Sequence, residues 1–208
     1  IGLPTNYYYD DASAEVRELM NDSLKTFEEL GANVVEVEVL DQDQLSDLAN
    51  VVMGSEAATL HRTWLRECPM DYSAQVRARI RPGLMYSAID YLQALQIRSQ
   101  ITRQFVENVF GQCDVLHTPV ISFPVPTIEE TDLGDTSNFS HFISRMTHCT
   151  RPINYLGLPA IATPAGFTAN GLPTSFQLIG RLFAEEMLFR VAAAYEDATN
   201  WHQKTPKI

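Results

Sequence analysis

Apolar residues recur along this chain at two spacings, and each change of spacing marks a change of element. Residues 1–3 read as a short strand ended by Pro4, and the run Tyr7, Tyr8, Tyr9 leads to Asp10 and Asp11, a pair suited to capping a helix N-terminus. Val16, Leu19, Phe27 and Leu30 then step at helical spacing, with Glu15 in the first turn and Gly31 just past the end. Val35, Val37 and Val39 alternate with Glu36 and Glu38, the pattern of a half-exposed strand.

Residues 45–68 are helical in composition, and the Pro82-Gly83 breaker separates them from a second long helix. There Leu84, Ala88, Tyr91, Ala94, Ile97, Ile101, Phe105 and Val109 step by three or four, an apolar stripe of about seven turns closed by Gly111. Residues 114–116 predict a short strand, followed by a loop with Pro119, Pro124 and Pro126, and residues 138–150 predict a helix. Residues 160–163 suit a buried strand stopped by Pro164 and Gly166; Asn170 and Gly171 form a strong turn dipeptide before a strand over 175–179. A last amphipathic helix spans 184–199. With no internal repeat and no low-complexity linker, the chain reads as one continuous α/β unit. The strand and helix order predicts part of a mixed-sheet α/β/α sandwich, with the 84–109 helix packed along its stripe.

Composition narrows the function more than the fold. At 208 residues, 45% apolar and 20% charged, the chain has material for one good-sized core. A net charge of −11 disfavours a nucleic-acid partner, which would need clustered cations; Arg77, Arg79 and Arg81 are the one basic cluster. No apolar run reaches the roughly 18 residues of a membrane span, so no membrane partner is expected. Cys68, Cys113 and Cys149 are odd in number and widely spaced, which argues for buried structural thiols in a reducing compartment, the cytoplasm. His148 beside Cys149, and Cys113 four before His117, do not make zinc-ligand spacings, and neither a metal nor a cofactor is expected.

The segment NYLGLPAIATPAGFTANGLPTSFQLIG carries the most specific pattern. It matches at Asn154, Gly157, Leu158, Pro159, Ala160, Pro164, Gly166, Gly171, Leu172, Pro173, Gln177 and Gly180, in that order, and so resembles the closing segment of the amidase signature family. The opening strand, helix and strand resemble the segment that follows the catalytic core in those enzymes. The resemblance implies the sandwich fold and hydrolysis of a carboxamide by a Ser nucleophile, a second Ser and a Lys on a Gly/Ser-rich core. No Gly-Ser-Ser-Gly run occurs here, and the lysines are Lys25, Lys204 and Lys207. Met53-Gly54-Ser55-Glu56 is the nearest Gly-Ser pair, in a helical run where Ser55 suits a solvated or capping role. The resemblance and the start at Ile1 therefore imply that residues 1–208 are the C-terminal portion of one amidase signature domain. Its catalytic core is expected upstream of residue 1, and the isolated chain is expected to be inactive, with no catalytic residue of its own.

Substrate-binding candidates come from the same resemblance. YSAQVRARIRPG, residues 72–83, looks like the segment of the A subunit of glutamyl-tRNA amidotransferase whose second Arg binds a substrate carboxylate; Arg79 falls on that position. The loop after DVLHTP offers Phe123 as an apolar wall, and the helix before Asn154 offers Thr147 and His148, with Met146 and Thr150 beside them. For His148 and His117 a hydrogen-bonded, partly buried structural role is the alternative. Where the A subunits carry an acid for the α-amino group, this chain has Thr147, and it reads His61-Arg62-Thr63-Trp64 in place of their Arg-Phe-Asp-Gly. A stand-alone amidase, similar to hydrolases of carboxybiuret and related ureido acids, is therefore favoured; an amidotransferase A subunit or a non-catalytic scaffold domain are the alternatives. The implied partners are a small amide substrate and the N-terminal half of the same enzyme, with a second copy of the chain as a further candidate.

Overall fold

The structure is a computed structural model and describes residues 1–134 and 137–205. Its sheet has five strands in the order β2-β1-β3-β5-β4: β1 (Gly2–Pro4), β2 (Val35–Val37), β3 (Leu116–Pro119), β4 (Ala160–Phe167) and β5 (Pro173–Ile179). β1 runs parallel to β2 and β3, whereas β3 and β4 both run antiparallel to β5, so the sheet is mixed as expected.

Helices cover both faces, for a reason visible in neighbouring strand residues. Leu116 and Ile179 point into one core with Leu45, Phe105 and Ile153, which belong to α2 (Gln42–Glu67), α4 (Ala88–Phe110) and α7 (Arg151–Leu156). Val115, Phe176 and Leu178 point the other way, into a core with Val16, Met20, Phe27, Leu188 and Tyr195 from α1 (Ala14–Glu29) and α8 (Glu185–Ala198). Alternation of side chains across the pleat thus divides one sheet between two apolar cores, which is the α/β/α sandwich. Three short helices, α3 (Ala74–Ile80), α5 (Ile128–Thr131) and α6 (Ser137–Met146), lie in the connections.

Several boundaries differ from the expectation. Ser13, not Asp10 or Asp11, caps α1 by accepting the Val16 N–H at 3.2 Å, because Asp10 is taken by the Tyr7 N–H at 2.8 Å. α4 begins at Ala88 because Ser87 and Asp90 form a capping box; Leu84 belongs to a separate 3₁₀ turn, Arg81–Leu84, and is 51% exposed. The stripe is buried at Ala94, Ile101, Phe105 and Val109 and half-buried at Tyr91 and Ile97, while Ala88 before it is exposed. The third strand starts at Leu116 and continues to Pro119. The expected 138–150 helix ends at Met146 as α6; residues 147–150 are a turn, and a separate helix, α7, starts at Arg151 with Pro152 in its first turn, where a missing N–H costs nothing. Pro164 and Gly166 do not stop β4. They form a bulge within it, tolerated because β4 is an edge strand among the described residues, its Pro164 lies in a register shift and its Gly166 adopts φ 149°.

Candidate substrate pocket

Arg79 reaches its position because α3 is pinned at both ends. Ser73 caps the helix, Gln75 Nε2 donates to Thr131 O at 2.7 Å, and Arg77 Nη1 donates to Tyr72 O at 2.6 Å. The turn that follows packs against α2 at an unusually close approach: a Cβ on Gly83 would stand 1.9 Å from Gly54 O, and one on Gly54 would meet Tyr86 at 3.0 Å. Gly54 is therefore a packing residue in mid-helix, and Ser55 beside it contributes its carbonyl to the Thr59 hydroxyl at 2.7 Å.

The other wall comes from the signature segment. Buried Gln177 on β5 donates from Nε2 to Cys149 O at 2.9 Å, which fixes the turn between α6 and α7 over the sheet. In that turn the Thr147 hydroxyl donates to Ile143 O at 2.8 Å and accepts from Arg151 Nη2. Gly157 ends α7 in the left-handed region at φ 72°, its N–H donating to Ile153 O at 3.0 Å. That geometry also leaves room for Arg98, since a Cβ at Gly157 would be 2.7 Å from Arg98 Nη2.

Between these walls lies a cavity of about 540 Å³, whose polar lining includes Glu56, Arg79, Arg98, Thr147, Arg151 and Asn154. Apolar residues of α2, among them Val52, Met53 and Leu60, complete it. Burial holds the Arg151 guanidinium below its usual pKa, and the charge of Arg79 acts in the same direction. Arg79 Nη2 faces Met53 Sδ at 3.9 Å. The arrangement suits an anion: guanidiniums offer forked donors, and the apolar wall lowers the local dielectric.

Of the four candidates from the sequence, Arg79 and Thr147 meet in this cavity. His148 and Phe123 are not among its lining residues. The His148 ring stacks on Tyr7, with centroids 3.8 Å apart; its Nε2 is 3.2 Å from Tyr7 O, and the Tyr7 hydroxyl donates to His148 O at 3.1 Å. This clasp holds the loop in which Tyr7 has φ 68°, a strained value for a residue with a Cβ. Phe123 lies under the Arg145 guanidinium, 4.5 Å from ring centroid to Cζ. Arg98, Arg151 and Asn154 were missed as site residues. The available signal was an Arg at 98, one turn beyond buried Ala94 on an otherwise apolar stripe. Cys113 and Cys149 are buried, but Cys68 is only half-buried, against the expectation for all three. Among the described residues no group of His, Cys, Asp and Glu could hold a metal ion, and no helix is long and apolar enough to cross a membrane.

Comparison with known proteins decides the family. The family model described as Amidase matches residues 1–189. The chain belongs to the amidase family. An amidase from Pseudomonas putida is 35% identical over 208 residues, a match covering all of this chain and 44% of the relative. The A subunit of glutamyl-tRNA(Gln) amidotransferase from Lactiplantibacillus plantarum is 31% identical over 232 residues, covering all of this chain and 46% of that protein. A crystal structure of an amidase superposes with a TM-score of 0.81 at 24% identity, over 95% of this chain and 45% of that one, and shares the fold. This amidase-family chain thus spans a little under half the length of the relatives it matches.

Proposed function

We propose that these 208 residues form the C-terminal, substrate-binding flank of an amidase that cleaves a small carboxamide or ureido C–N bond. The observation that carries this reading is that Arg79 and Thr147, from separate elements, line one cavity with the signature residue Asn154. In the reaction a Ser hydroxyl adds to the carbonyl, the C–N bond breaks, ammonia leaves with the Ser proton, and water then hydrolyses the acyl ester to the acid. The Ser-Ser-Lys set belongs to a segment outside residues 1–208. Arg79 grips a carboxylate on the acyl portion by paired, charge-assisted hydrogen bonds. Cytoplasmic location suits the three free thiols.

The match to amidotransferase A subunits supports a second reading, in which the chain is part of one of them. The cavity favours the first. Glutamine carries an ammonium as well as a carboxylate, and the position where A subunits use an acid holds Thr147, which here receives a hydrogen bond from Arg151. Ammonia release decides the matter. The full-length parent is expected to liberate ammonia from a small acidic amide without partner subunits, and purified 1–208 is expected to liberate none. Release by 1–208 above a no-enzyme control, or a requirement for tRNA-linked substrate, would overturn the proposal.

A further inference from the structure

Three guanidiniums enter the cavity from three separate elements: Arg79 on α3, Arg98 on α4 and Arg151 on α7. One carboxylate lines it with them, Glu56, whose Oε1 already accepts the Tyr91 hydroxyl at 3.2 Å. Among the described residues the ion pairs are Lys25 with Asp22 and Arg66 with Glu67, so none of the three arginines has a carboxylate partner. Scarcity of acids does not explain this, because the chain carries 26 acidic residues against 15 Lys and Arg.

Each guanidinium is instead placed by neutral groups. Arg151 Nη2 donates to the Thr147 hydroxyl and to Ile143 O at 3.4 Å. Arg98 Cζ lies 5.9 Å from the Tyr155 ring centroid, and Tyr155 is itself fixed by its hydroxyl donating to Ala94 O at 2.5 Å. Arg79 Nη2 lies 3.9 Å from the Met53 sulfur. Orientation by neutral groups leaves most of the forked donors free, whereas an internal salt bridge would have consumed them. Arg79 and Arg151 also share, with Met53, the lining of an adjoining cavity of about 250 Å³ that Arg98 does not line. The charge of Arg79 acts against that of Arg151, opposed by Tyr7 and Asp47, and an anion in the cavity would relieve the repulsion between the two guanidiniums.

We propose that the cavity takes a substrate bearing two anionic groups joined by a short apolar segment, one held by Arg79 and Arg151 and the other by Arg98. Three guanidiniums against one carboxylate leave two positive charges to be balanced, and Val52, Met53 and Ala57 provide the wall for the intervening methylenes. The proposal rests on the cavity being the substrate pocket, and it narrows the substrate from acidic amides to amides that carry two anionic groups.

A ligand ladder on the full-length enzyme tests it. Calorimetric titration with glutarate, glutaramate and glutaramide compares two, one and no negative charges on one carbon skeleton. Each added charge is expected to tighten binding about tenfold or more. Arg98→Gln is expected to bring glutarate down to the affinity of glutaramate. Equal binding of the three ligands, or undiminished glutarate binding by Arg98→Gln, would overturn the proposal. The ladder in wild-type protein does not depend on any variant folding. A graded ladder without amide hydrolysis would reject the proposed function and leave the dianion site standing; hydrolysis with a flat ladder would do the reverse.

Discussion

His117 is fully buried between two hydroxyls, and the Ser23 proton decides how the imidazole is protonated. Ser23 Oγ donates to Met20 O at 2.7 Å, so toward His117 Nε2, 2.9 Å away, it accepts; Nε2 carries the hydrogen and Nδ1 accepts from the Tyr9 hydroxyl at 3.1 Å. Burial pushes the pKa of this imidazole down to about 3 from an ordinary 6.5. Between those values the unfolded chain binds a proton that the folded one refuses. The contribution to stability is therefore full above pH 6.5 and is lost as pH falls toward 3, at up to about 1.4 kcal/mol per pH unit. In urea unfolding, the loss of stability from pH 7 to pH 5 is expected to be about 2 kcal/mol smaller in His117→Gln than in wild type. The same loss in both proteins would mean that the imidazole titrates normally in the fold. The same physics makes Cys149 an inert thiol, its pKa pushed up to about 12 by burial.

Among elements, α2 approaches the turn after α3 closely, with Gly54 and Gly83 back to back. An Ala at 83 would place its Cβ on the Gly54 carbonyl, where backbone, not a flexible side chain, is the obstacle. Gly83→Ala is expected to destabilise the full-length enzyme by about 1–3 kcal/mol, read as a lowered melting temperature, and to raise KM for acidic amides because Arg79 rides on the displaced helix. An unchanged melting temperature would show that the two elements can part without cost. The helices and most strands were legible in the sequence because their apolar spacing and caps are local signals. Pro164 misled because its effect depends on whether a strand is an edge, which is a property of the sheet order. The end of α6 at Met146 was hidden because the turn over 147–150 keeps helix-like hydrogen bonds, Thr147 N–H to Ile143 O and Thr150 N–H to Thr147 O. Arg79 and Thr147 were legible only through resemblance to the family. Arg98 and Arg151 were not, since what makes them site residues is the meeting of α3, α4 and α7 over one cavity, and no short-range pattern encodes that meeting.

For the whole molecule, one sheet separates two helical layers, and the pocket belongs to only one of them. α1 and α8 support the sheet from behind, while α2, α3, α4 and α7 form the cationic cavity on the other side. Within the described residues the sheet ends at β2 and β4, neither of which has a second neighbour. Under the proposed function residues 1–208 contribute recognition, and the nucleophile comes from a segment outside them. The claim most exposed to test is that Arg79 recognises a substrate carboxylate. The deciding measurement is kcat/KM for glutaramate and for its neutral counterpart glutaramide, in the full-length enzyme and in its Arg79→Ala variant. A loss of roughly ten- to a hundred-fold for glutaramate, with glutaramide nearly unaffected, is the expected result. An equal loss for both would make Arg79 a structural residue and contradict the account.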